Sequence, residues 1–133
     1  MIRNFLDSNV LLYSVSSDAT KADCADGLIA QGGWISVQVL NEAALVCRRK
    51  MRFDWERTHA LLDTLQRLLT VAPLNLETHR TGMRIAERYQ IGIYDSMIAA
   101  SALLAGCDRL LSEDLHPGLV IDGTLTIVNP FHA

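Results

Sequence analysis

Apolar positions in this chain fall into short blocks separated by longer stretches of helical spacing. Residues 2–6 form a short run ending at Asp7, the pattern of a buried strand. After a loop around Ser16–Ala19, residues 20–31 read as a helix that Gly32–Gly33 terminate. Trp34–Ser36 reads as a second strand. Residues 37–50 read as a helix whose end carries Arg48, Arg49 and Lys50, where cations suit the negative end of the helix dipole. Asp54 is placed to cap the next helix, with Trp55, Leu61, Leu62, Leu65, Leu68 and Leu69 at helical spacing. Thr70–Ala72 is a brief strand closed by Pro73. Residues 76–89 form another helix and Gly92 interrupts. Asp95 then opens a strongly apolar helix through Ala105, with Gly106 behind it. Leu110–Leu111 and Leu125–Val128 are the last strands, with turn-rich HPG and DG segments between them.

Short strands alternating with helices predict a parallel sheet covered on both faces, an α/β sandwich. At 133 residues the chain suits a single domain, 1–133, with a real core. In such sheets ligands bind beyond the carboxyl ends of the strands, where the strand order reverses. Asp7 and Asp114 both follow predicted strands closely, and Glu42 and Asp95 lie on helices able to cover that edge.

Half the residues are hydrophobic and a fifth charged, a globular balance that argues against disorder. No apolar run reaches the roughly 18 residues that cross a bilayer. The strand-like start leaves no room for a secretory signal, so a cytoplasmic protein without membrane contact is expected. Cys24, Cys47 and Cys107 are odd in number and far apart, which predicts buried thiols. His59, His79, His116 and His132 show no metal-ligand spacing. The formal charge of −3 does not advertise nucleic-acid binding. Setting four candidate ligands aside leaves eleven of the fifteen acids against twelve Lys and Arg, so the remaining surface is near neutral. Arg48, Arg49, Lys50 and Arg52 form its one basic knot: an RNA contact, a contact for an acidic partner segment, or a solvated helix end.

Asp7, Glu42, Asp95 and Asp114 each lie in or beside a hydrophobic segment: IRNFLDSNVLLYS, SVQVLNEAALV, IGIYDSMIAASALL and LLSEDL. Carboxylates avoid such surroundings unless paired or bound to a cation. Each also has a plain structural role open to it. Asp7 suits the cap of a following turn, Glu42 the edge of a buried helix, Asp95 a helix cap or first-turn acid, and Asp114 an ordinary turn, where Glu113 competes for the same assignment. Jointly they say more. Two carboxylates about 5 Å apart repel by roughly 3 kcal/mol at an effective dielectric near 20. Four converging side chains call for a cation, and an all-oxygen set suits Mg²⁺ or Mn²⁺.

The segments FLDSNVLLYS, ISVQVLNEAA, IYDSMIAASALLAGC and LLSEDL, with LTIVNPF at the end, resemble the PIN-domain proteins, above all the VapC-like toxins of toxin–antitoxin systems. The likeness spans essentially the whole chain. It implies a PIN-like α/β/α sandwich with a central parallel sheet of about five strands. It implies a divalent-metal-dependent endoribonuclease whose Mg²⁺ or Mn²⁺ is held by Asp7, Glu42, Asp95 and Asp114. Asn9 would support the site, and Ser112 would supply the hydroxyl for which the family often has Thr. An RNA substrate and a small antitoxin are the implied partners, and many such toxins dimerise. A stand-alone nuclease and a non-catalytic PIN-like binding domain are the alternatives. A dehalogenase-like phosphotransferase fits poorly, because Asn9 stands where a second acid is needed and neither Lys21 nor Lys50 follows a late strand.

Overall fold

The computed structural model describes residues 1–131, so His132 lies outside the described residues. Six strands form one sheet: β1 (Asn4–Leu6), β2 (Trp34–Ser36), β3 (Thr70–Ala72), β4 (Arg109–Leu111), β5 (Val120–Ile121) and β6 (Leu125–Val128). Their spatial order is β3-β2-β1-β4-β6-β5, parallel throughout except for the antiparallel β5 at the edge. Six helices flank it: α1 (Ser8–Leu12, extended by a 3₁₀ turn at Tyr13–Val15), α2 (Ala19–Ala30), α3 (Val37–Arg49), α4 (Trp55–Leu68), α5 (Leu76–Tyr89) and α6 (Ile93–Leu104).

The chain steps in one direction from β1 through β2 to β3, carrying α1 to α4, which pack on one another. It then returns across β1 to β4, carrying α5 and α6, which pack tightly together. Right-handed crossovers put these two helix groups on opposite faces of the sheet, giving the α/β/α sandwich. The strand residues Phe5, Leu6, Ile35, Leu110 and Ile127 are fully buried between them. α6 is buried from Ser96 through Ala102, and its small residues let α5 approach closely. Gly82 of α5 makes that approach: a Cβ there would stand 2.5 Å from Met97 Sδ.

The reversal of strand order falls between β1 and β4. Their register pairs Leu6 with Leu111, so the two strands end level and Asp7 and Ser112 leave the sheet side by side. The ladder continues one step further, with Asp7 N–H donating to the Leu111 carbonyl at 3.0 Å.

Two elements were not expected. β5 occupies the stretch between the HPG and DG turns, and it has only two residues to show any alternation. The DG segment is the hairpin turn itself: Asp122 and Gly123 take φ of 51° and 71°, as tight β-hairpins require. α1 is a five-residue helix directly after Asp7, too short for a helical period to register. Cys47 and Cys107 are buried free thiols as expected; Cys24 is half-buried and faces the Pro130 carbonyl at 3.6 Å. Among the described residues no helix is long and apolar enough to cross a membrane.

Candidate functional site

Asp7 anchors the carboxyl edge of the sheet. It is 3 % exposed and caps α1, its Oδ1 accepting from Ser8 N–H at 2.7 Å. Oδ2 accepts from the Ser112 hydroxyl at 2.9 Å and the Asn9 amide at 3.3 Å. Burial nevertheless raises its pKa to about 6. The hydrogen bonds from Ser112 and Ser8 oppose the shift, and the charges of Glu42 and Asp95 add to it. Capping therefore explains part of Asp7's position and none of its neighbours.

Ser36 ends β2 and caps α3, its hydroxyl accepting from Val39 N–H at 3.3 Å. That start sets the helix so that Val39, Ala43 and Cys47 face the core while Glu42, half-buried, turns to the acid edge. The Ser8 hydroxyl lies 3.3 Å from Glu42 Oε1 and 3.5 Å from Asp7 Oδ1, and its single proton serves one or the other. Gln38, one turn before Glu42, donates to Oε2 at 3.1 Å.

Asp95 is the third residue of α6, whose cap is Gly92 with no side-chain bond. It is a first-turn acid, not the cap. Burial, and then the charge of Asp114, push its carboxyl above the ordinary value, the reverse of what a capping role produces. Asp114 is exposed; its Oδ2 accepts from Asn9 at 3.1 Å, and its own N–H donates to Ser112 Oγ at 3.2 Å. Asn9 is thus the hub: it reaches Asp7, Asp114 and Ser112 through its nitrogen, and its oxygen accepts from Glu113 N–H at 3.0 Å.

Glu113 turns elsewhere. Its carboxylate accepts from Lys21 Nζ at 2.7 Å and from the Tyr13 hydroxyl. That pairing holds both donors' protons more firmly than usual. Lys21 also lies over the Tyr13 ring at 4.5 Å. Of the two adjacent acids, Asp114 is the one bonded to Asn9 and the one whose charge acts on Asp95. Ser8, Gln38 and the Lys21–Tyr13 pair were not singled out in the sequence; only Gln38, four residues before Glu42, carried a local signal.

The basic knot lies elsewhere. Arg48 begins six residues after Glu42, about 9 Å further along the helix at 1.5 Å per residue. It donates to the Phe53 carbonyl at 2.7 Å and stacks 4.2 Å over Trp55, fastening the α3–α4 turn. Arg49, Lys50 and Arg52 are exposed.

Among the described residues, none of Asp7, Glu42, Asp95 and Asp114 has a Lys or Arg partner; the ion pairs are Lys21–Glu113 and Arg84–Asp122. Nor, as they stand, are three acidic, histidine or cysteine side chains drawn closely enough together to hold an ion. The four carboxylates lie around this edge: Ser8 stands between Asp7 and Glu42, Asn9 and Ser112 tie Asp7 to Asp114, and Asp95 joins them through charge alone, acting on Asp7 and facing Asp114. Asp7 is fixed and the other three are on less buried side chains. The donor set fits a hard divalent cation: all oxygen, net negative and lacking any competing ammonium or guanidinium.

A sequence model of the PIN domain matches residues 5–116. No curated protein matches. Solved structures share the fold. A toxin–antitoxin complex from Klebsiella pneumoniae aligns over 98 % of this chain and 99 % of its own, at 18 % identity and a TM-score of 0.73. DNA-bound VapBC from Salmonella typhimurium aligns over 96 % and 97 %, at 21 % identity and a TM-score of 0.70. A sarcin–ricin-loop-cleaving VapC toxin of Mycobacterium tuberculosis aligns over 84 % and 89 %, at 13 % identity and a TM-score of 0.67. With a family match across most of its length and the acid-lined switch point of its sheet, this chain belongs to the PIN domain family.

Proposed function

We propose that this protein is a divalent-metal-dependent endoribonuclease and the toxin of a toxin–antitoxin pair. The observation that carries the reading is the set of four carboxylates around the β1/β4 switch point, none of which has a Lys or Arg partner among the described residues. Such a set repels itself, and a hard cation relieves it. Asp7, Glu42 and Asp95 would hold Mg²⁺ or Mn²⁺, with Asp114 as a direct or water-mediated ligand. When bound, the ion supplies an acidified water and stabilises charge on the attacked phosphate. Asp7 gives the fixed carboxylate, Ser112 and Asn9 orient it, and Ser8 and Gln38 hold Glu42 toward it. In-line attack by water would leave a 5′-phosphate and a 3′-hydroxyl, with no protein nucleophile needed.

The toxin assignment draws on the fold neighbours, several of which are toxin–antitoxin complexes. RNA is the proposed substrate because one of those neighbours cleaves the sarcin–ricin loop. Arg49, Lys50 and Arg52 would meet either RNA beyond the cut or an acidic antitoxin segment; reversing their charge, read separately against RNA and against a partner, distinguishes the two. The central test is cleavage of RNA in Mg²⁺ or Mn²⁺ and in chelator, for wild type and Asp7→Asn. Cleavage that needs the metal and falls at least ~100-fold in the variant is expected, given how much of such catalysis rests on electrostatic stabilisation. Undiminished cleavage by Asp7→Asn would refute the site. A wild type that binds metal and RNA without cutting would make this a non-catalytic PIN-like binding domain.

A further inference from the structure

A pocket of about 330 Å³ opens beside Asp114, between the end of α5 and the loop that follows β4. Its apolar surface comes from Ile91, Leu115 and Leu119, and its polar groups from Gln90, His116 and Asp114 itself. We propose that this pocket is a subsite for one unpaired nucleobase of the RNA, adjoining the phosphate to be cut. The proposal rests on the ribonuclease reading above and adds where sequence preference would arise.

Three observations carry it. The first is continuity. Asp114 belongs both to the pocket and to the set of acids, and Asn9 ties it to Asp7. A strand placed on those acids must therefore pass the pocket's mouth. The second is size and chemistry. The volume lies at the lower end of the ≈ 300–1,000 Å³ typical of small-ligand sites, enough for a planar base and too little for a helix. Apolar walls with a few polar groups at the opening are what a splayed-out base needs, stacked on one face and read along its edge. Gln90 spends its amide nitrogen on the Glu87 carbonyl at 2.7 Å, which leaves its oxygen to accept from a base. The exposed imidazole of His116 adds a second polar edge.

The third is rigidity. Tyr89 also borders the pocket, and its hydroxyl accepts from Asp122 N–H at 2.8 Å and donates to Asp122 Oδ1 at 3.2 Å. Arg84 grips the same carboxylate through two bonds, at 2.7 and 3.1 Å. The Tyr89 wall is thus locked to the β5–β6 hairpin, so binding a base costs little ordering there.

Abasic scanning tests this. Short single-stranded RNAs, each lacking one base, are measured by anisotropy with Ca²⁺ in place of Mg²⁺, the RNA being checked intact on a gel, and then for cleavage in Mg²⁺. A base lost at one position beside the scissile phosphate should weaken binding about 10-fold, the scale of a single stacked base. Ile91→Trp, which fills the pocket, should erase that positional effect while binding persists. Should that variant fail to fold, Gln90→Gly and His116→Ala at exposed positions should still shift the ranking of the four bases there by at least ~3-fold. Equal tolerance of abasic sites throughout, or a positional effect untouched by these variants, would overturn the subsite alone. An antitoxin peptide displaced by Ile91→Trp, with RNA binding unchanged, would overturn it in favour of a protein contact. No binding or cleavage of any RNA would bring down the ribonuclease reading and the subsite with it.

Discussion

The side-chain amide of Asn9 donates to Asp114 Oδ2 across 3.1 Å, joining a residue of α1 to the loop after β4 more than a hundred residues later. The same nitrogen lies 3.3 Å from Asp7 Oδ2. A neutral donor thus stands between two carboxylates at the point where a third negative charge would be least tolerable. Asn9→Asp keeps the shape and adds that charge. In chelator it should lose about 2–3 kcal/mol, the scale of one close like-charge contact at an effective dielectric near 20. Asn9→Ala, which removes donors without adding charge, should lose about 1 kcal/mol. Saturating Mg²⁺ should restore more stability to the Asp variant than to the Ala variant. Thermal melts with and without the ion measure all of this, and equal losses for the two variants in chelator would contradict the charge argument.

Asp7 makes stability depend on pH. Its carboxyl binds a proton more tightly in the folded protein, at about 6, than in the unfolded chain, at 3.8. A raised folded value contributes stability that is complete below the unfolded value and is lost as pH rises through the folded one. The full contribution is about 3 kcal/mol, of which about 1 kcal/mol separates pH 5 from pH 7. In chelator, wild type should therefore gain on Asp7→Asn by that amount as pH falls from 7 to 5. At pH 7 the variant should match or exceed wild type. Parallel stability curves for the two proteins over this range would mean that Asp7 is an ordinary solvated cap. Asp95 shifts in the same direction, so Asp95→Asn should melt no lower than wild type in chelator. With Mg²⁺ at about a hundred times its Kd, wild type should gain about 2.7 kcal/mol, and a much smaller gain is expected for the variant.

Glu113 and Asp114 are adjacent acids with opposite commitments, the first to Lys21 and Tyr13, the second to Asn9. Asp114→Asn should lower metal-dependent cleavage by at least ~10-fold, as loss of a ligand or of a group beside the ligands does. Glu113→Gln should leave cleavage within about 3-fold and cost little stability, because the ion pair it loses is partly exposed and screened by solvent. The reverse ranking in kcat would exchange the two residues' roles.

The parallel sheet and its order of elements were legible because apolar blocks and helical stretches alternate along most of the chain. The acids stood out for a related reason: Asp7 and Asp95 interrupt apolar segments, with buried Leu6 and Val10 around the first and buried Met97 and Ile98 after the second, although Ile93 and Tyr94 before Asp95 are exposed. What held them in place was not legible. Ser8 meets Glu42 across 34 residues and Lys21 meets Glu113 across 92, contacts that depend on where the sheet reverses and leave no local pattern. The resemblance pointed to Asn9 and Ser112, and no periodicity of the chain itself did. β5 was lost between two turns, because two residues cannot display an alternation.

Gly33 tests the junction that levels β1 with β2. The pair Gly32–Gly33 ends α2 and turns into β2, and Gly33 takes φ of 148°, in a region that side chains rarely enter. A Cβ there would lie 2.9 Å from the Asn4 carbonyl oxygen and 3.1 Å from Leu6 Cδ1. The first neighbour is backbone of β1 and cannot step aside without moving the strand that delivers Asp7. Gly33→Ala therefore meets both a conformational and a steric penalty, together about 2–4 kcal/mol. Gly27→Ala is the control. Gly27 lies inside α2 with open space around it, so the added methyl should raise stability by up to about 1 kcal/mol. Urea unfolding should show the two substitutions moving the midpoint in opposite directions. The strand shift also predicts weaker Mg²⁺ binding by Gly33→Ala at temperatures where it remains folded, because Asp7 leaves β1 only three residues after Asn4. A Gly33→Ala protein as stable as wild type would mean that β1 and β2 can separate freely, and the level ends of β1 and β4 would then owe nothing to that contact.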